Sequence, residues 1–168
     1  GDREKIAAHV QTAVRFLKKW QGASHLVTPA LFPHSTYTCH PETLRAVKEV
    51  AREASVPFIT HLAETEDEIS IVREKCGTTP IRLLNDLGIL DDRTVAVHCN
   101  WPDHEEMALL ADKGARVSHN PESGMKLAAG LAPVPSLQAR GVVVGLGTDG
   151  CASNNDHDLI GEMGTAAR

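Results

Sequence analysis

His61 and Glu64 stand three residues apart at the end of a short apolar run, Phe58-Ile59-Thr60, that follows Pro57. A neutral imidazole can bind a metal, and a carboxylate beside it can move a proton to or from a substrate. The apolar run reads as a buried strand. Residues three apart on a continuing strand point to opposite faces, so the pair shares a site only if the chain leaves the strand just after His61. Thr65 followed three residues later by Glu68 is a capping-box pattern and predicts a helix start there. The pair then sits at a strand-to-helix corner, which faces the ligand in parallel α/β folds. Taken alone, His61 also suits a hydrogen-bonded structural histidine, and Glu64 a first-turn carboxylate favoured by the helix dipole.

The same ending recurs along the chain. Residues 25–32, 94–98, 115–119 and 142–147 are further strand candidates, leading to His34, His98, His119 and Asp149. Between them lie helical patterns at residues 4–20, 41–54, 66–75, 79–87, 102–114 and 134–140, and from Asp158 onward. Ile6, Val10, Val14 and Leu17 make the first amphipathic, and Pro41 and Pro102 suit first helical positions. The Gly/Pro-rich stretch after Asn120 reads as a loop. Such β-α alternation implies a parallel sheet. It places four histidines and an aspartate at one sheet edge, the edge where barrel enzymes keep their sites. Histidine with carboxylate suits a borderline divalent cation. Singly, His98 also reads as a satisfied core histidine, and residues 147–150 as an ordinary turn. His9, His25, His40, His104 and His157 read as structural or solvent-facing.

Composition narrows the partners. The chain has 168 residues, 42% hydrophobic and 23% charged, enough for one sizeable core and a single domain over residues 1–168. A net charge of −5 argues against nucleic acid or an anionic membrane as a partner. No apolar run approaches a membrane span, and the first residues lack a secretory h-region. Cys39, Cys76, Cys99 and Cys151 are widely spaced with no CxxC, as expected of reduced thiols in a cytoplasmic protein.

Five segments carry a family resemblance: PHSTYTC (33–39), HLAETEDEI (61–69), VHCN (97–100), VSHNPESGMKLAAGLAPVPSL (117–137) and GLGTDGCASNNDHDLIGEM (145–163). Together the chain resembles the amidohydrolase superfamily, in its cytosine-deaminase-like branch of 5-methylthioadenosine/S-adenosylhomocysteine deaminases and chlorohydrolases. The resemblance implies an incomplete TIM (β/α)8-type barrel of about five parallel βα units, strands four to eight. It implies a divalent metal, zinc or alternatively iron, with His61 and Asp149 as ligands. Glu64 resembles the carboxylate that protonates the substrate ring. His98 resembles the histidine that contacts the hydrolytic water. Asp149 doubles as proton acceptor, and His34, Glu64 and Asp149 resemble substrate-contacting residues. The implied activity is hydrolytic deamination of an adenosine-type or other nitrogen heterocycle. A non-catalytic half-barrel and a triazine- or guanine-type hydrolase are the alternatives. The family's HxH metal pair has no counterpart in this sequence, and its usual SNxK reads Ser123-Gly124-Met125-Lys126. The isolated chain is therefore expected to be a fragment, inactive and weak in metal retention.

The expected terminal strands, at 26–32 and 142–147, lack flanking partners and carry no charge. Open apolar edges template pairing with another chain, so a homo-oligomer is expected, in its simplest form a two-fold dimer.

Overall fold

The computed structural model describes residues 5–167; the expected first residue of the first helix, Glu4, lies outside them. Twelve elements follow in order: α1 (Ile6–Trp20), α2 (Pro41–Glu53), β1 (Phe58–Leu62), α3 (Glu66–Cys76), α4 (Pro80–Asp86), β2 (Thr94–His98), α5 (His104–Asp112), β3 (Arg116–His119), α6 (Pro121–Leu127), α7 (Val134–Ala139), β4 (Val144–Leu146) and α8 (Leu159–Ala166). The strands form one sheet in the order β1-β2-β3-β4, every pair parallel. Parallel neighbours joined by helical crossovers match the parallel sheet that the alternation implied, and suit an arc of the (β/α) barrel that the resemblance implied.

Helix starts are set by local hydrogen bonding. Pro41 occupies the first position of α2, and the His40 ring accepts from the Glu42 N–H at 3.2 Å. Asp103 and Glu106 form a reciprocal capping box at α5, so this helix begins after the Asp103 cap rather than at Pro102. At α3 only half of the expected box forms. Thr65 Oγ1 accepts from the Glu68 N–H at 3.1 Å, but the Glu68 carboxylate reaches one residue further back, to the Glu64 N–H at 2.8 Å.

Residues 25–32 do not form a strand. Leu31 and Ser35 instead make isolated parallel bridges to Phe58 and His61. The Leu31 N–H donates to the Pro57 carbonyl at 3.0 Å, and the His61 N–H to the His34 carbonyl at 3.0 Å. Pro29 and Pro33 have no N–H to offer, so a continuous ladder is interrupted there. The expected five strands are thus four, with a fifth segment pinned alongside β1 at two points. A second correction concerns the stretch after Asn120, which is helical: Pro121 takes the first position of α6, where its missing N–H costs nothing.

Burial follows the pleat. Phe58, Thr60 and Leu62 are fully buried on the helix-covered face of β1, while Ile59 and His61 are half-buried on the other. The core runs from Leu44, Val47 and Ala51 of α2 through Phe58 and Leu62 to Ile81, Leu84, Leu110 and Leu137. Below it, at the N-terminal strand ends, Lys48 is 1% exposed. Its ammonium donates to Asp91 Oδ1 at 2.6 Å and to Thr94 Oγ1 at 2.9 Å. Val143, just before the edge strand β4, is 64% exposed. Among the described residues no helix is long and apolar enough to cross a membrane. The four cysteines are free thiols.

Candidate metal centre

The C-terminal strand ends depart from regular backbone. Ala63, His98, Cys99 and Asp149 all have positive φ, at 51°, 75°, 52° and 64°. Non-glycine residues rarely adopt this region, and such conformations collect at functional sites. Ala63 makes the turn that lets Glu64 join His61. His98 is paired in register with Leu62, and His61 with Val97. Pleating alone would send the two imidazoles to opposite faces. The left-handed turn at His98 accompanies their convergence, with ring centroids 5.3 Å apart.

Hydrogen bonds stitch the corners together. The N–H groups of Cys99, Asn100 and Trp101 donate to the carbonyls of Leu62, Ala63 and Ala63 at 3.0, 3.0 and 3.1 Å. Asn100 Nδ2 donates to the Glu64 carbonyl at 3.0 Å. Glu68, 1% exposed, accepts from the Glu64 N–H and from Thr36 Oγ1, the latter at 2.5 Å. This ties the His34 loop to the Glu64 corner. His34 packs edge-on against His61, centroids 4.8 Å apart, and its ring hydrogen bonds to Thr38 and Ser35 use Nδ1 alone.

One nitrogen each of His61 and His98 and one oxygen of Asp149 lie within 4.8 Å of one another. His61 Nε2 is 4.0 Å from Asp149 Oδ1, and His98 Nε2 is 3.9 Å from Asp149 Oδ2. Glu64 Oε1 lies 3.8 Å from His98 Nε2. His61 Nδ1, His98 Nε2 and His119 Nδ1 are buried without a hydrogen-bond partner. Such orphaned groups are costly and call for an explanation. Two imidazole nitrogens and a carboxylate oxygen are a donor set for a divalent transition metal, so the residues fit the implied ion. Two protein ligands were expected from the sequence; the geometry gathers three donors, with His98 as the addition.

Charge states follow from burial. Burial lowers the His98 pKa to about 4, against a smaller opposing effect of Asp149. Burial, then the neighbouring His34, lowers His61. Both imidazoles are therefore neutral near pH 7, as a metal ligand must be. Burial raises the Glu64 carboxyl, with Asp149 and Glu68 adding to the effect. Burial would raise Asp149 too, but hydrogen bonds from Ser123, Ser153 and the Gly150 backbone, with His98, hold it below the usual carboxylate range. The two carboxyl groups are thus pushed apart, one toward acid and one toward base.

His61 and Asp149 line an open cavity of about 490 Å³ with Phe32, Val97, Ser118, Asn120 and Gly150. A Cβ at Gly147 beside it would crowd the Asn120 side-chain amide and lie 2.6 Å from Ser118 Oγ, so a larger residue there would make both side chains move. Sequence reasoning gave no role to Glu68, Asn100, Ser123 or Ser153. All four lie inside the quoted segments, Ser153 in residues 145–163; only Glu68 carried a signal of its own, as half of a capping box.

The chain belongs to the Amidohydrolase family, which matches residues 2–168. It is 44% identical over 167 residues to a 5'-deoxyadenosine deaminase of Methanopyrus kandleri, covering 99% of this chain and 39% of that protein. It is 46% identical to a 5-methylthioadenosine/S-adenosylhomocysteine deaminase of Carboxydothermus hydrogenoformans, with the same coverage. Among solved structures it is similar to an adenosine deaminase from Xanthomonas campestris with bound zinc, at a TM-score of 0.89 and 36% identity, covering 94% of this chain and 36% of that one. The chain thus spans 39% of the length of the curated relatives it matches.

Proposed function

We propose that this chain carries the C-terminal barrel portion of a metal-dependent aminohydrolase acting on an adenosine-type heterocycle. The observation that carries the reading is the convergence of His61, His98 and Asp149 within 4.8 Å, beside a carboxyl group whose pKa is raised. Deaminase names among the relatives support the substrate class. His61 and Asp149 would hold the cation, zinc by the precedent of the similar Xanthomonas structure. When bound, such an ion lowers the pKa of a water toward neutrality.

The chain's own groups then divide the proton traffic. Asp149, kept ionised by its hydroxyl partners, accepts a proton from the attacking water. Glu64, biased toward its protonated form, donates to the ring nitrogen as electrons move onto it. His98 is neutral, and its unpartnered Nε2 is available to hydrogen-bond the oxygen that attacks the ring carbon. His34, held through Nδ1, contacts the substrate. Ammonia leaves. A cytoplasmic location and a homo-oligomer complete the reading, the latter supported by Val143 beside the open edge of β4.

The family resemblance adds an HxH pair to His61 and Asp149 as ligands, and that pair is absent from this sequence, which leaves two where catalytic zinc sites keep at least three. The isolated chain is therefore expected to hold zinc only weakly and to leave adenosine-type nucleosides unchanged. Complementing it in trans with the N-terminal portion of a relative, plus zinc, is expected to release ammonia from such nucleosides. Glu64→Gln should lower that rate by about a hundredfold or more; a near-normal rate would remove Glu64 from the mechanism. Light scattering coupled to size exclusion tests the assembly, where a stable monomer at micromolar concentration contradicts the dimer.

A further inference from the structure

The Asp149 carboxylate is asymmetric in its surroundings. Ser123 Oγ donates to Oδ2 at 2.6 Å, and Ser153 Oγ donates to the same oxygen at 2.7 Å. The other oxygen, Oδ1, faces His61 Nε2 at 4.0 Å, while Oδ2 lies 3.9 Å from His98 Nε2. The two hydroxyls come from separate elements, one from α6 and one from the turn that follows Gly150, where the Ser153 N–H also bonds the Gly150 carbonyl at 3.0 Å. Ser123 is completely buried. Its neighbour Gly124 lets the loop after α6 pack closely on the helix: a Cβ at 124 would lie 2.6 Å from the Gly130 carbonyl oxygen. The departure from the family's SNxK is therefore accommodated by the approach of residues 128–131 to this helix.

We propose that Ser123 and Ser153 are positioning residues that commit Asp149 to offering a single oxygen, Oδ1, to a cation held with His61. The inference rests on the metal reading above and goes beyond it, because it concerns which cations the site accepts. Two donated hydrogen bonds occupy the lone pairs of Oδ2, so the carboxylate cannot chelate through both oxygens. A four-coordinate ion such as zinc needs one carboxylate oxygen, at about 2.0–2.2 Å. Larger oxygen-seeking ions gain from bidentate carboxylates. The serine pair thus favours zinc over manganese.

The test is made on this chain complemented in trans with the N-terminal portion of a relative, as above, without assaying turnover. Zinc affinity is measured by competition with a chromophoric chelator, and manganese affinity from the free-ion electron paramagnetic resonance signal. Ser123→Ala and Ser153→Ala are each expected to weaken zinc by about tenfold, and the double variant by up to about a hundredfold. Manganese should weaken less, so the zinc-to-manganese ratio narrows. Ser153→Thr keeps a hydroxyl and should restore both the affinity and the ratio. Unfolding midpoints of the metal-free variants should fall only by the modest amount expected for losing one buried hydrogen bond each. An unchanged ratio in the double variant overturns the proposal, whether zinc affinity is unchanged or both affinities fall together with the unfolding midpoint. His61→Ala separates the two levels. If it leaves zinc affinity untouched, the metal reading fails and this proposal with it. If it abolishes binding while the serine variants bind as before, only the positioning role fails.

Discussion

The two ends of the sheet solve the problem of buried polar groups in opposite ways. At the N-terminal strand ends, Lys48 finds Asp91 and Thr94, and Arg52 reaches Asp91 Oδ2 at 3.4 Å and the Gly88 carbonyl. At the C-terminal ends, three imidazole nitrogens are buried with no partner. Left-handed non-glycine backbone accompanies the second set, at Ala63, His98, Cys99 and Asp149. Unsatisfied groups and unfavourable φ both cost stability. The lower cluster holds α2 against β2; in the upper one, of the gathered donors, His98 Nε2 is left without a hydrogen-bond partner.

The largest expected effect breaks the satisfied end. Lys48→Ala removes a buried ammonium, leaves Asp91 and Thr94 without it and opens a void beside Phe58. It should cost about 3 kcal/mol or more, read as a fall in the denaturant midpoint. An equally large loss from His98→Asn would erase the contrast between the two ends.

A comparable effect appears at the upper end only when pH is varied. Folded His98 has its pKa lowered to about 4 from 6.5. Between those values the unfolded chain binds the proton and the folded chain does not. Stability of the metal-free chain from this group therefore falls as pH drops from 6.5 toward 4, by on the order of 3 kcal/mol. Raised carboxyl groups at Glu64 and Glu68 act in the opposite sense. The difference between the unaltered chain and His98→Asn isolates the histidine, and parallel pH profiles for the two would show that His98 is not desolvated as described.

Thr65→Ala gives the smallest effect. It removes the N-cap acceptor of α3 and should cost about 1 kcal/mol, measurable by chemical denaturation. A much larger loss would mean that the cap also holds the Glu64 corner.

How much of this could be read beforehand differed by level. Helices α2 and α3, marked by a first-position proline and a capping pattern, were legible because those signals are local. So were the ends of β1, β2 and β3, where a β-rich run stops at histidine. Residues 25–32 misled because apolar composition mattered less than the donors missing at Pro29 and Pro33. Helix α6 was hidden by Gly124, a poor helix former kept for its close approach to Gly130. Of the candidate site, His61, Glu64, His98 and Asp149 come together as their strand-end positions implied. That His98 would join the donors themselves, rather than contact the water, was not legible, because strand register points it the other way and its positive φ leaves no sequence signal. Ser123 and Ser153 were invisible for another reason: a hydroxyl that caps one carboxylate oxygen leaves no periodic or spacing signature.

The three main-chain bonds from Cys99, Asn100 and Trp101 to Leu62 and Ala63, with the side-chain bond from Asn100 to Glu64, make two loops into one exchangeable part. An engineer who grafts a new loop after β1 while keeping the old one after β2 inherits mismatched donors and acceptors. The pair must be transplanted as a cassette, and substitutions split between the two loops should prove strongly non-additive.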